Sequence, residues 1–252
     1  VIPALNGRRT IAAYRMARWE LRLRRALRAA IKVQQHALEA RLRSRTASVP
    51  PWDDGEWNDD LDEVGDVVRS ILSEAAVVAV HKLGKDALVL SSVEDALRAR
   101  IARFSDQVRG LSSHLVPRLE SELATGLAHG ESVDALVARV QEVFVRVEHQ
   151  QRTLVRTWVV GSSNQAAFEA GDALVQAGED ALDRVWLSAG NDGRTRPDHA
   201  EADGQRVGPG EPFIVGGEEL MWPGDPDGSP EQVMNCRCVT LSLAPDEEIA
   251  PA

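Results

Sequence analysis

Cysteine is almost absent from this chain. Only Cys236 and Cys238 occur among 252 residues, separated by one position. So few cysteines exclude a disulfide framework, and a bond across Cys-x-Cys would close a small, strained ring. The pair fits a reducing compartment or a metal. Aromatic residues are also scarce, at 4%, while alanine, valine and leucine dominate. That composition points to helices packed through small side chains. No apolar run approaches the roughly 20 residues needed to cross a bilayer as a helix, so no membrane partner is expected. Nothing resembles a secretory signal. The apolar content of 43% still suffices for a packed core in one or two domains.

Charge is distributed unevenly. The net charge is −10, yet residues 1–45 hold twelve Lys/Arg against only Glu20 and Glu39, a local +10. The remainder therefore carries −20, and eight acids fall within residues 53–66 alone. A basic arm joined to an acidic body implies an arm that touches something acidic. The N-terminus is arginine-rich and acid-poor, as transit peptides are; we read it as an interaction arm. The sequence opens on Val1, as expected of a processed or trimmed product.

Apolar spacing predicts a long first helix over about residues 10–44, with Trp19, Leu23, Leu27, Ile31, Leu38 and Leu42 on one stripe. Arg18, Arg22, Arg25 and Lys32 line another. Pro50 and Pro51, followed by acids, should stop it. A second helix is expected at about 60–81, burying Val67, Val68, Ile71, Leu72, Ala75, Val78 and Ala79. A third, at about 93–129, carries Leu97, Ile101, Phe104, Val108, Leu111, Leu115, Leu119, Leu123 and Leu127 in register, with Gly110 and Pro117 as bending points. Gly130 reads as a C′ residue and Ser132 as an N-cap, with Asp134 in the next first turn. Two further helices are expected at about 133–146, through Leu136, Val137, Val140 and Phe144, and at about 149–177.

Past Gly178 the period changes. Residues 183–188 alternate as a strand, residues 191–193 form a turn, and residues 196–203 form a short helix with proline in its first turn. Residues 204–207, 212–215 and 237–243 are strand candidates. The tail 244–252 should fray. The fold class is thus mainly α, a long helical N-terminal stem carrying a small α+β C-terminal module of short strands. The domain division is 1–130, helical with a basic first helix, and 131–252, with the module's core at about 132–243.

In an extended run Cys236 and Cys238 face the same way. With His199 and a carboxylate from Asp192, Asp198 or Asp203 they would make a tetrahedral zinc site. The alternative is that both thiols are small buried hydrophobes and His199 is a hydrogen-bonded fold residue. Asp192, Arg194 and Arg196 suit bidentate ion pairs that pin a loop onto a strand, and Arg237, pointing away from the sulfurs, suits the same network. No nucleophile–base pair stands out. His199 and Glu201, followed by the cysteines, partly resemble the zinc deaminase pattern, with Glu201 as proton shuttle. The cysteine spacing is one residue short of that pattern, and no proline precedes Cys236.

The same residues carry a broader resemblance. A tryptophan strand (Trp186) is followed by Asp192, Arg194, Thr195, Arg196 and His199, then Asp203–Gly204, then Pro223–Gly224, then Asn235-Cys236-Arg237-Cys238. This order is similar to the C-terminal domain of phage head-morphogenesis proteins, the minor head proteins similar to phage Mu protein F. The resemblance extends upstream to about Ser132. It departs where relatives often have Arg-Thr-Glu, since Arg156 and Thr157 are followed here by Trp158, and where many carry Cys-x-x-Cys in place of Arg196 and His199.

The resemblance implies a non-enzymatic component of the virion. It would lie inside the capsid at the portal vertex, in several copies, after assembly in the host cytoplasm. The implied partners are the portal protein, the major capsid protein or scaffold, and packaged DNA. Arg15, Arg18, Arg22, Arg25, Arg28 and Lys32 are the candidate contacts to an acidic portal surface or to DNA phosphates. The competing account of that helix is a solvated arginine face. The competing functional class is a zinc-dependent nucleic-acid-acting enzyme or toxin built on His199, Cys236 and Cys238. Nine residues follow Leu243, and no toxin domain is expected among them.

Overall fold

The computed structural model describes residues 5–44, 54–81, 86–178, 180–190, 192–244 and 247. Four long helices come first: α1 (Leu5–Arg43), α2 (Asp54–His81), α3 (Asp86–Ala128) and α4 (Val133–Gln176). The module follows as β1 (Asp183–Leu187), α5 (Pro197–Glu201), β2 (Arg206–Val207), β3 (Phe213–Val215), β4 (Glu218–Leu220), α6 (Pro230–Val233) and β5 (Val239–Leu243). This is the expected class, mainly α with a small α+β end. The stop at Pro50–Pro51, the side chains of Ala79, Leu97, Ile101, Phe104 and Leu111, Asn191 and most of the tail lie outside the described residues.

Several boundaries differ from the reading of the sequence. The two helices expected around residue 147 are one helix, α4. Within its polar stretch Glu148 is partnered, taking a bidentate pair from Arg28 (Nε–Oε1 3.1 Å). Helix α3 runs through both Gly110 and Pro117. Pro117 and Ser113 are exposed, so water can satisfy the carbonyl that a proline leaves without its helical donor. Leu127, placed on the buried stripe, is 66% exposed in the last turn. The helix end itself matches expectation. Glu131 N–H bonds to Gly126 O and Gly130 N–H to Leu127 O, both at 3.0 Å, the paired bonds of a Schellman motif. Ser132 Oγ then accepts from Ala135 N–H at 3.3 Å as the N-cap of α4.

The chain divides into two compact units. One comprises Arg22–Val68 and Ile101–Arg152. Its core draws Leu23, Leu27 and Ile31 from α1, Leu61 and Val64 from α2, Leu115 and Leu119 from α3, and Val140 and Phe144 from α4, all buried. Arg139 of α4 grips Glu131 through two bonds of 2.7 Å and Glu122 through one of 2.8 Å.

The other unit comprises Val1–Leu21, Arg69–Arg100 and Thr153–Ala252, and it contains the module. Its three-stranded antiparallel sheet has the order β2-β1-β5, so β1 is central. Val185, Trp186 and Leu187 are accordingly fully buried, as suits a strand covered on both faces. On the same face of β1 as Trp186, Arg184 is also buried. Its guanidinium lies 4.8 Å from the Phe168 ring centroid and 5.4 Å from that of Phe213, and it donates to the Met221 and Glu211 carbonyls. Strands β3 and β4 form a separate hairpin, pairing Phe213 with Leu220 across a Gly216–Gly217 turn. Both glycines have positive φ, 58° and 82°, as a two-residue type I′ turn requires.

Candidate metal centre and its arginine-lined cleft

His199 reaches the site because α5 is a single proline-started turn. Pro197 opens it, and Ala202 N–H bonds to Asp198 O at 3.0 Å. His199 faces inward and Glu201 outward, as two residues about 200° apart on a helix must. The cysteines arrive from the other direction. After α6, Asn235 turns the chain with φ 58°, a conformation Asn tolerates better than most residues. The turn is held from α4: Asn235 N–H donates to Thr157 Oγ1 at 2.7 Å, and Arg156 Nη1 donates to Asn235 Oδ1 at 3.1 Å. Cys236 and Cys238 were expected inside the last strand. They instead precede β5, which begins at Val239, because that is where pairing with Leu187 of β1 starts. The chain there still turns both sulfurs to one side.

Three donor atoms converge. His199 Nδ1 lies 3.3 Å from Cys238 Sγ and 3.7 Å from Cys236 Sγ. All three atoms fall within 4.8 Å of one another, and each residue is buried. Among the described residues no carboxylate joins the cluster. Asp192 belongs to Arg237, Asp198 accepts from Gln232 Nε2 at 2.8 Å, and Asp203 accepts the Ser188 N–H at 2.8 Å. The other imidazole nitrogen, His199 Nε2, meets Gln232 Oε1 at 3.1 Å, and the edge of the ring packs against Trp186 at 5.6 Å. A hydrogen bond from Cys238, helped by His199, holds Cys236 well below the ordinary thiol range in spite of burial. The same pairing and burial push Cys238 up.

The expected polar lock forms around this cluster. Arg237 clasps Asp192 with both guanidinium nitrogens, Nη2 to Oδ1 at 2.9 Å. Asp192 also accepts from Arg194 through its backbone N–H at 3.0 Å and its Nη2 at 3.2 Å. The Arg237 guanidinium and the Arg194 amide hold the Asp192 carboxyl far below the usual carboxylate range. Thr195 Oγ1 donates to Gly190 O at 2.6 Å, Arg196 donates to Met234 O, and Gly204 N–H donates to Trp186 O at 2.8 Å. Arg196, Asp203 and Arg237 thus tie one segment to another, while Arg194 and Thr195 brace the loop after β1 from within. Beside the cluster a cavity of about 190 Å³ is lined by Arg156, Arg194, Arg196 and Arg237 together with His199 and both cysteines.

A family model described as Phage Mu protein F like protein matches residues 118–241. That stretch, just under half of the chain, is what is similar to the family. The matched stretch runs from the end of α3 through α4 to β5, and so contains the whole lock. The family is one of phage head morphogenesis and is not an enzyme class. The uncharacterized protein YqbB of Bacillus subtilis (strain 168) is 26% identical over 152 residues, covering 56% of this chain and 48% of YqbB. The chain thus spans about half the length of that curated relative. No solved structure matches it.

Within the Mu F-like stretch, two positioning residues, Asn164 and Gln232, escaped the reading of the sequence. Asn164, buried in α4, works as a substitute neighbour for the edge strand β5. Its Nδ2 donates to Cys238 O at 3.1 Å and Pro223 O at 2.9 Å, and its Oδ1 accepts from Thr240 N–H at 2.9 Å. Gln232 orients His199. Gly224 passes so close to α4 that a Cβ there would sit 2.8 Å from Gly161 Cα. A lone Asn in an otherwise apolar helix face was the available signal for the first.

The basic residues of α1 are placed variously. In the module's unit, Arg15 is half-buried and Arg18 lies 3.7 Å from Glu74. In the other unit, Arg28 pairs with Glu148, Arg22 is half-buried, and Arg25 and Lys32 are exposed. No helix among the described residues is long and apolar enough to cross a membrane.

Proposed function

We propose that this protein is a non-enzymatic minor head component of a phage particle. It acts inside the capsid at the portal vertex, in several copies, and aids assembly or genome delivery. The observation that carries the reading is that the Mu F-like stretch holds its motif residues in contacts with one another. Asp192, Arg196, Asp203 and Arg237 each close a loop, which suits a rigid plug whose task is to be held in place. A hydrolytic or deaminating role would want Glu201 facing the cysteines, and its side chain faces outward.

The basic helix α1 supplies the contact to an acidic portal surface or to DNA. Because Arg18 and Arg28 already meet carboxylates, Arg25 and Lys32 are the residues we assign to that contact. The test is binding of the full chain to purified portal protein and to a short DNA duplex across a salt series. Binding should weaken as salt rises, and Arg25→Ala with Lys32→Ala should lower the DNA salt slope by about 2, at roughly 0.9 per phosphate contact. A salt-insensitive or unbound wild type, or an unchanged slope, refutes the assignment. Absence of the protein from purified particles refutes the head role itself.

A further inference from the structure

We propose that His199 Nδ1, Cys236 Sγ and Cys238 Sγ bind one zinc ion. The proposal stands on the site's own geometry and is independent of the head-assembly reading. Tetrahedral zinc takes imidazole nitrogen at about 2.0–2.1 Å and thiolate at about 2.3 Å, which sets the nitrogen–sulfur separation at about 3.6 Å. The two separations here, 3.3 and 3.7 Å, straddle that value. A histidine merely satisfied in a core needs one acceptor or donor at this nitrogen; this one has two sulfurs at coordination spacing.

The tautomer is arranged for the same purpose. Asp198 accepts from Gln232 Nε2, which leaves Gln232 Oε1 as an acceptor. His199 Nε2 must then carry the proton, and Nδ1 presents its lone pair to the sulfurs. This is the relation of a metal-bound imidazole to an outer amide or carboxylate. The sulfurs receive backbone support as well, with Cys238 N–H donating to Cys236 Sγ at 3.4 Å. Three protein ligands leave one position. The arginine-lined cavity beside the cluster could supply the water or small anion that fills it.

The experiment uses the full chain, produced without a polyhistidine tag in zinc-supplemented medium and kept reduced. Elemental analysis should find about one zinc per chain, and chelation should lower the melting temperature. Replacement by Co(II) should give visible ligand-field bands with sulfur-to-cobalt charge transfer. Gln232→Ala, which touches no sulfur, should weaken zinc about 10–100-fold in competition with a chromophoric chelator, the usual cost of losing an outer partner. Cys236→Ser should lose the metal; if it fails to fold, the wild-type stoichiometry and the Gln232→Ala affinity decide alone. A folded, reduced, wild-type chain that contains no zinc and gives no cobalt spectrum overturns the proposal. So does a Cys236–Cys238 disulfide in protein purified under reducing conditions. An unchanged affinity in Gln232→Ala overturns the assigned tautomer.

Discussion

Replacing Asn164 by alanine should loosen the closing strand more than any other single truncation in the module. Three hydrogen bonds end on this one amide, and Asn164 itself is 2% exposed. The Pro223 and Cys238 carbonyls and the Thr240 N–H would be left without a partner. Stranding a buried polar group costs about 1–3 kcal/mol. Relaxation and entering water recover part of the sum, so about 3–5 kcal/mol is the expected loss. At about 2–4 °C per kcal/mol for a chain of this size, the melting temperature should fall on the order of 10 °C. Circular dichroism melting measures it, and amide hydrogen exchange at Thr240 localises it. Asn164→Asp separates the polar account from a cavity account. It keeps the volume and the acceptor for Thr240, but it turns the donor into an acceptor facing two carbonyls. It should therefore destabilise at least as much as alanine. A melting temperature within about 2 °C of wild type for Asn164→Ala, with Thr240 still protected, would refute the reasoning.

Gly224→Ala should destabilise by about 2–4 kcal/mol, because a side chain is strained at φ 79° and its Cβ would press on the Gly161 backbone; chemical denaturation midpoints check this. Acid should act on the helical unit through Glu131, whose carboxyl Arg139 holds below its ordinary value. A depressed folded pKa means that this stabilisation is complete above the unfolded value near 4.3 and fades as pH falls through the lower folded value. Melting temperatures of wild type and Glu131→Gln should therefore differ at neutral pH and converge in strong acid, and a constant difference at every pH would contradict the pairing.

What could be read from the sequence was what repeats or what has distinctive chemistry. Leu23, Leu27 and Ile31 recur at helical spacing, and they are buried. The Asp192–Arg237 lock was legible as chemistry, because a carboxylate beside a turn and an arginine between two like-facing residues each need a partner. Connections over long sequence separations were harder. The run around Glu148 looked like a helix break only because its partner, Arg28, stands 120 residues away. Strand β4 was hidden by Glu218 and Glu219, although the Gly216–Gly217 pair before it is a hairpin signal. The cysteines looked like part of a strand because they adjoin β-forming residues. Where the strand begins is set by pairing of Val239 with Leu187 of β1, far earlier in the chain, and local propensity carries no record of it. Asn164 was the least legible: a lone Asn on an apolar helix face signals a buried partner, but not that the partner is the edge of a sheet.

The order of strands has a consequence for how the protein comes into being. The central strand β1 is made early in the module, but one of its two neighbours, β5, is the module's last element. Until Leu243 has left the ribosome, Val185, Trp186 and Leu187 have no partner on that side. Folding of this part must therefore wait until β5 has emerged, and a ribosome that stalls before residue 239 releases a chain with an open, apolar flank, the kind of product that proteases and chaperones collect.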